Sequence, residues 1–345
     1  PLLMPAVQRH KSKGSNTIYI YETNNKGDYK MAEQTYQFAS ADGVTQIHGV
    51  KWTPDQEPVA VLQIVHGMVE YIERYRPFAE FLNSKGFVVV GHDHIGHGES
   101  VSSPKEWGIM HAKHPSDIMV EDIYSNYKLT KAEYPTLPYF IMGHSMGSYM
   151  TRKCLCVKAE EMDELDGAII MGTGTESDGT INAGLALINF LSFFRSDQYR
   201  STMVRDMTYG APYKQYDCTG ARPEKSWLTK DVDIVKKYYQ DPKCTYTFSL
   251  GAYRGLVEST KYDNDPNNIA KMKKDLPIFF VSGDSDPVGN MGKGVEAARD
   301  KFLAAGMQDV SLKLYKDDRH EILNETDRQV VYEDLYAWMQ KKMGA

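Results

Sequence analysis

Short, almost unbroken apolar runs recur along this chain: VAVLQIVHG (59–67), GFVVVGHD (86–93), YFIMGHS (139–145), GAIIMGTG (167–174) and LPIFFVSG (276–283). They are rich in β-branched residues, have the length of strands, and run into a glycine. A strand with no polar face is buried on both sides, so its sheet must be covered by helices on both sides. Helical patterns fill the intervals: RYRPFAEFLNSKG (74–86), stopped by Gly86, and GKGVEAARDKFLAAG (292–306). A third, SDIMVEDIYSNYKLTKAEYP (116–135), opens on Ser116 and Asp117 as predicted caps and is stopped by Pro135. Strands alternating with helices predict right-handed crossovers and a mostly parallel sheet, an α/β fold. Ahead of them, EQTYQFAS and TQIHGVKWT alternate as an antiparallel pair turning at ADG.

One interval is too long for a connection: the sixth of these strands ends near Gly174 and the next begins near Leu276. It contains INAGLALINFLSFF (181–194), apolar nearly all round, and helical patterns at 229–242 and 251–260. The chain therefore divides into an N-terminal extension (1–32), a first core part (33–174), a helical cap (175–262) inserted after the sixth strand, and a second core part (263–345). The extension is polar and irregular apart from TIYIYE (17–22), and Met31 is a candidate initiator. The net charge of −6 disfavours nucleic acid as a partner. No run approaches the roughly 18 apolar residues of a membrane span, and the N-terminus has no apolar core of signal-peptide length. Cys154 and Cys156 are too close in sequence for a disulfide or a zinc knuckle. With Cys218 and Cys244 they read as free thiols of a cytoplasmic protein.

The third of the quoted runs leads into Gly143-His144-Ser145-Met146-Gly147, with a helical pattern following. Strand, G-x-S-x-G and helix in that order form a nucleophile elbow. Its turn is so tight that a Cβ at either glycine would strike a neighbouring element. A serine hydroxyl needs a histidine base oriented by a carboxylate, and in this architecture the order along the chain is Ser, acid, His. Of ten histidines, His10, His48, His66, His92, His94, His97, His111, His114 and His144 precede the serine, and His320 alone follows it. His320 lies between the last predicted strand and the last helix, where the base belongs. The acid should follow the penultimate strand, where Asp284 and Asp286 stand; Asp286 is preferred, because Asp284 sits in the turn itself. Glu176 and Asp178 are weaker candidates on the loop that opens the cap. The amide of Met146 at the helix N-terminus, and that of Met68 after His66-Gly67, are the candidate oxyanion donors.

The stretches HGMVEYIERYRPFAEFLNSKGFVVVGHDHIGHGES, GHSMGS, SGDSDPVG and RHEILNE resemble the monoacylglycerol lipase and lysophospholipase group of the α/β-hydrolases, from about residue 40 to the C-terminus. That resemblance implies the α/β-hydrolase fold, Ser145 as nucleophile, Asp286 as acid, His320 as base, the Met68 and Met146 amides as oxyanion hole, and no cofactor. It also implies that Glu70 and Arg74 help to form a polar pocket for the leaving alcohol; on spacing alone they equally suit an i,i+4 surface ion pair. Ser148 departs from the second glycine often found there. The implied partner is a small acyl ester, a monoacylglycerol, lysophospholipid or similar single-chain substrate. The same triad serves thioesterases, amidases or peptidases and acyltransferases, while a purely ligand-binding relative would usually lack a triad member. His92, His94 and His97 raise the question of a metal, but no cysteine or carboxylate set completes a coordination shell there, so no metal is expected. The apolar cap segment suits packing on the core, lining of an acyl pocket, or transient membrane contact.

Overall fold

A computed structural model describes residues 31–344 and, ahead of them, the strands Val7–Lys11 and Thr17–Glu22 and residue Lys30. The strands are β1 (Val7–Lys11), β2 (Thr17–Glu22), β3 (Lys30–Ala39), β4 (Gln46–Pro54), β5 (Ala60–Val65), β6 (Phe87–His92), β7 (Tyr139–His144), β8 (Gly167–Met171), β9 (Ile278–Gly283) and β10 (Val310–Tyr315). They form one sheet in the order β1-β2-β3-β4-β6-β5-β7-β8-β9-β10. From β6 through β10 neighbours run parallel, whereas β1 to β4 are antiparallel and β4 joins β6 antiparallel. This is the α/β-hydrolase arrangement, mostly parallel and flanked by helices.

The sheet is covered on both faces, as wholly apolar strands require. In β5, Val61 and Val65 face one core with α2 (Pro115–Glu133), α3 (Met146–Val157) and α9 (Lys293–Ala304). Ala60, Leu62 and Ile64 face the other, with α1 (Arg76–Ser84) and α10 (Arg328–Met343). Gln63 is the polar exception in β5; its amide donates to the Ile123 carbonyl at 2.9 Å and its oxygen accepts from Tyr139 at 2.7 Å.

Two local readings change. Among the described residues before 33, strand structure is not confined to 17–22: VQRHK forms β1, paired to β2, and β3 already begins at Lys30. A five-residue strand without apolar alternation leaves no periodic trace. The N-cap of α2 is His114 with Pro115 as first residue, not Ser116 or Asp117. The Ser116 hydroxyl accepts from Lys153 Nζ at 2.8 Å, and Asp117 pairs with the same ammonium.

Between β8 and β9 lie α4 (Asp178–Arg195), α5 (Thr202–Thr208), α6 (Val232–Gln240), α7 (Leu250–Asn264) and α8 (Pro266–Ile269). Helix α7 packs on α2 and α3 as well as on α4, so it is shared between insertion and core. Helix α4 buries Ile181 and Ile188 and leaves Phe190, Phe193 and Phe194 exposed. No described helix is long and apolar enough to cross a membrane.

Candidate active site

In a parallel sheet the loops beyond the carboxyl ends of the strands converge on one edge. Here β5 leads to Met68, β7 to Ser145, β9 to Asp286 and β10 to His320. Ser145 and His320 line one cavity of about 660 Å³, together with Met68, Glu70, His144 and residues of the insertion.

Ser145 is the residue between β7 and α3, with φ 53° and ψ −122°. A non-glycine residue at such angles stores roughly 1–3 kcal/mol of strain, which the surroundings must hold in place. The flanking glycines show how. A Cβ on Gly143 would collide with the Gly147 carbonyl and Thr151 of α3, and one on Gly147 with the carbonyls of Val65 and His66. The serine is thus presented, partly exposed, where strand and helix touch. The Met146 N–H is among the first amides of α3, which have no intrahelical partner. Met68 is half-buried and is followed by Val69, held at φ 57°.

His320 Nδ1 donates to Asp286 Oδ2 at 2.9 Å, which leaves Nε2 as the accepting nitrogen. Asp286 is fully buried, and it also accepts from the Ser282 hydroxyl at 3.0 Å and the Val288 amide at 2.8 Å. Asp284 instead accepts from the Asp317 amide at 2.8 Å, as a turn residue. Glu176 and Asp178 are exposed. The His320 ring lies between His144, 4.7 Å away by centroids, and Trp227 of the insertion at 5.0 Å. Gly172 allows the first approach, since a Cβ there would come within 3.1 Å of His320 and 3.3 Å of His144.

Glu70 and Arg74 do form an i,i+4 pair, with Glu70 buried and the Arg74 side chain 12% exposed. Glu70 accepts from the Gly67 amide at 2.6 Å, the Tyr75 hydroxyl at 2.9 Å, His144 Nδ1 at 3.0 Å and Arg74 at 2.8 Å. Arg74 also forks onto both oxygens of Glu321 at 2.8 and 2.7 Å, beneath the Tyr238 ring. Burial resists ionisation of Glu70, but His144 and Arg74 outweigh it and hold the carboxyl well below the usual range. Burial likewise resists charging of His144, and Glu70 outweighs it, so this imidazole is raised above its ordinary value. Arg74 holds the Glu321 carboxyl down against the same cost. Glu70 reaches the large cavity; Arg74 does not line it. Sequence reasoning missed His144, Trp227 and Glu321. The position of Glu321 directly after the candidate base was the one available signal for it.

The insertion grips these loops. The amides of His320 and Glu321 donate to the Trp227 and Leu228 carbonyls at 3.4 and 2.7 Å. Lys230 donates to Asp318 at 2.6 Å, the Tyr216 hydroxyl to the Ser285 carbonyl at 2.6 Å, and the Tyr238 hydroxyl to the Val69 carbonyl at 3.2 Å. The loops that carry Asp286, His320 and Met68 are each tied to the segment 216–238.

His66, His92, His94 and His97 form a fully buried cluster behind the loop that carries Met68. His66 donates from Nδ1 to the Gly67 carbonyl at 2.8 Å and accepts the His94 amide at 3.0 Å. Burial pushes His66 and His92 down to about 3 and His97 to about 4, so these rings are neutral at physiological pH. Among the described residues, the groups whose donor atoms gather closely enough for a metal are His48–Glu73–Asp93 and Asp318–Glu325–Asp327, not these histidines. The second group already holds the Lys230 ammonium.

A family profile described as serine aminopeptidase, S33, matches residues 56–327. Human monoglyceride lipase is 30% identical over 296 residues, covering 84% of this chain and 86% of its own. A monoacylglycerol lipase of Mycolicibacterium smegmatis is 24% identical over 307 residues, 88% of this chain and 96% of its own. A thermostable carboxyl esterase from Bacillus coagulans, solved in complex with glycerol, superposes with a TM-score of 0.81 at 28% identity, covering 90% of this chain and 99% of the esterase.

Proposed function

Because the chain belongs to the serine aminopeptidase S33 family and to the monoglyceride lipase-like group of the α/β-hydrolases, and is a carboxylester hydrolase of the serine class, we propose that it cleaves esters of one acyl group with a small polar alcohol, monoacylglycerols or lysophospholipids, through Ser145, His320 and Asp286. The observation that carries this is the 2.9 Å bond from His320 to buried Asp286 at a cavity shared with the strained Ser145.

His320 Nε2 takes the Ser145 proton as the hydroxyl attacks the ester carbonyl. The carbonyl oxygen becomes an oxyanion against the N–H groups of Met68 and Met146. Asp286 keeps the proton on Nδ1 and stabilises the imidazolium that forms. His320 then protonates the departing alcohol, and water clears the acyl-enzyme by the same route. Glu70, at the cavity wall, accepts from the alcohol, and Arg74 orients Glu70. The exposed Phe190, Phe193 and Phe194 support transient contact of the insertion with a lipid surface. Four free thiols fit work in a reducing, cytoplasmic setting.

The test is hydrolysis of a monoacylglycerol and of p-nitrophenyl butyrate by Ser145→Ala protein. A fall in kcat of about 10⁴- to 10⁶-fold is expected. Wild-type turnover by the variant would refute the assignment.

A further inference from the structure

We infer that His48, Glu73 and Asp93 form a binding site for one divalent cation of the zinc type. None of the three lines the cavity of Ser145, so the inference goes beyond the ester-cleaving reading and stands apart from it. One donor atom of each residue lies within 4.8 Å of the other two. His48 Nε2 and Glu73 Oε1 are 3.1 Å apart. Two ligands of a tetrahedral zinc, each about 2.0–2.1 Å from it, stand about 3.4 Å from one another, so a small shift admits the ion between them. The other carboxylate oxygen, Glu73 Oε2, is buried and has no hydrogen-bond partner among the described residues. An imidazole with two carboxylates suits zinc and its first-row neighbours; magnesium and calcium favour oxygen ligands alone. The second close group, Asp318–Glu325–Asp327, has the Lys230 ammonium as its built-in cation. Here the lysine that the insertion supplies, Lys243, pairs with Glu99 instead.

The ligands are also positioned in advance. Asp93 is wholly buried directly after β6, and its two oxygens accept from the amides of Ile72 and Glu99, each at 2.8 Å. Each oxygen keeps a second lone pair for a metal. The Asp93 amide donates to the His48 carbonyl at 2.9 Å. The Ser100 hydroxyl accepts from the His48 amide at 2.9 Å and donates to the Asp93 carbonyl at 2.7 Å. Such outer bonds fix ligand backbones before an ion arrives. The side chains of His48 and Glu73 are 11% and 23% exposed, which gives the ion an entry path and leaves a coordination position for water. A bound ion clamps β4, the end of β6 and the turn Ile72–Tyr75, which carries Arg74.

The experiment is calorimetric titration of zinc chloride into chelator-treated full-length protein. Wild type is expected to take one ion per chain with a Kd of about 1 µM or below. His48→Gln and Glu73→Gln should each weaken binding by about 100-fold or more. Glu73→Gln keeps the size of the side chain, so its loss reports the missing charge. His114→Gln, which removes the exposed imidazole beside Glu258, should bind zinc as wild type does. A wild-type Kd weaker than about 100 µM, binding that survives both ligand substitutions, or an equal loss in His114→Gln overturns the inference. If neither ligand variant folds by circular dichroism, cobalt(II) added to wild type decides. The intense visible bands of a four-coordinate ion support the site, and the weak spectrum of the six-coordinate hydrated ion overturns it.

Discussion

Ser145 occupies backbone angles that a side chain rarely adopts, and Gly143 and Gly147 leave just enough room for β7 and α3 to hold it there. The strain is local, so it can be measured. Ser145→Gly removes the Cβ that makes φ 53° costly, gaining roughly 1–3 kcal/mol. It also adds flexibility to the unfolded chain, costing about 0.5–1 kcal/mol. The variant is expected to be inactive and about 1 kcal/mol more stable by urea unfolding; a clear loss of stability would show that the turn is not strained. The placement of this residue between strand and helix was readable from sequence because its constraints are local. So was His320, since no other histidine follows the serine. Asp286 was preferred over Asp284 on chain position, and the hydrogen bonds divide the two in the same way. Glu321 was not readable, because its partner Arg74 lies 247 residues away.

Between elements, the site depends on charges that tie loops from different strands. Arg74 joins Glu70 of the loop after β5 to Glu321 of the loop after β10, and Glu70 reaches back to His144 at the end of β7. Arg74→Met leaves the buried Glu321 carboxylate without its cation and Glu70 with His144 alone. A loss of about 3–5 kcal/mol in unfolding free energy is expected. The double variant Arg74→Met with Glu321→Leu should recover part of it, because the unpaired charge goes with its partner. Equal losses in single and double variants would mean that the network does not act as a unit. The grip of residues 216–238 on the same loops was hidden from sequence reasoning. Two of its bonds, His320 to Trp227 and Glu321 to Leu228, are main chain to main chain and leave no residue-type signature, and the side-chain bonds join residues far apart in sequence. The length and helical content of the insertion were legible from its periodicity, whereas the cavity wall depends on how helices and loops meet.

For the whole molecule, the two-faced burial of the sheet dictates the architecture, and the short, unbroken apolar runs carry its signal. The strand β1 escaped notice because pairing to β2, not an apolar face, defines it. Burial also imposes a pH dependence. His92 is pushed down to about 3 by burial, against an ordinary value of 6.5. Between those values the unfolded chain binds a proton there that the folded protein does not, so this contribution to stability is full above pH 6.5 and is lost as pH falls toward 3. His92→Gln removes it. Relative to wild type, the variant should gain about 1.4 kcal/mol per pH unit between pH 6 and 4 in urea unfolding. A difference that does not change with pH would show that His92 titrates normally in the folded state.

The proposed activity rests on one covalent event. The direct measurement is the rate and position of fluorophosphonate labelling, mapped by peptide mass spectrometry, in wild-type and His320→Gln protein. A single adduct on Ser145, formed about 10³-fold or more slowly without His320, is the predicted result. An adduct on another residue, or equal labelling rates in the two folded proteins, would contradict the assignment of Ser145 as a nucleophile activated by His320.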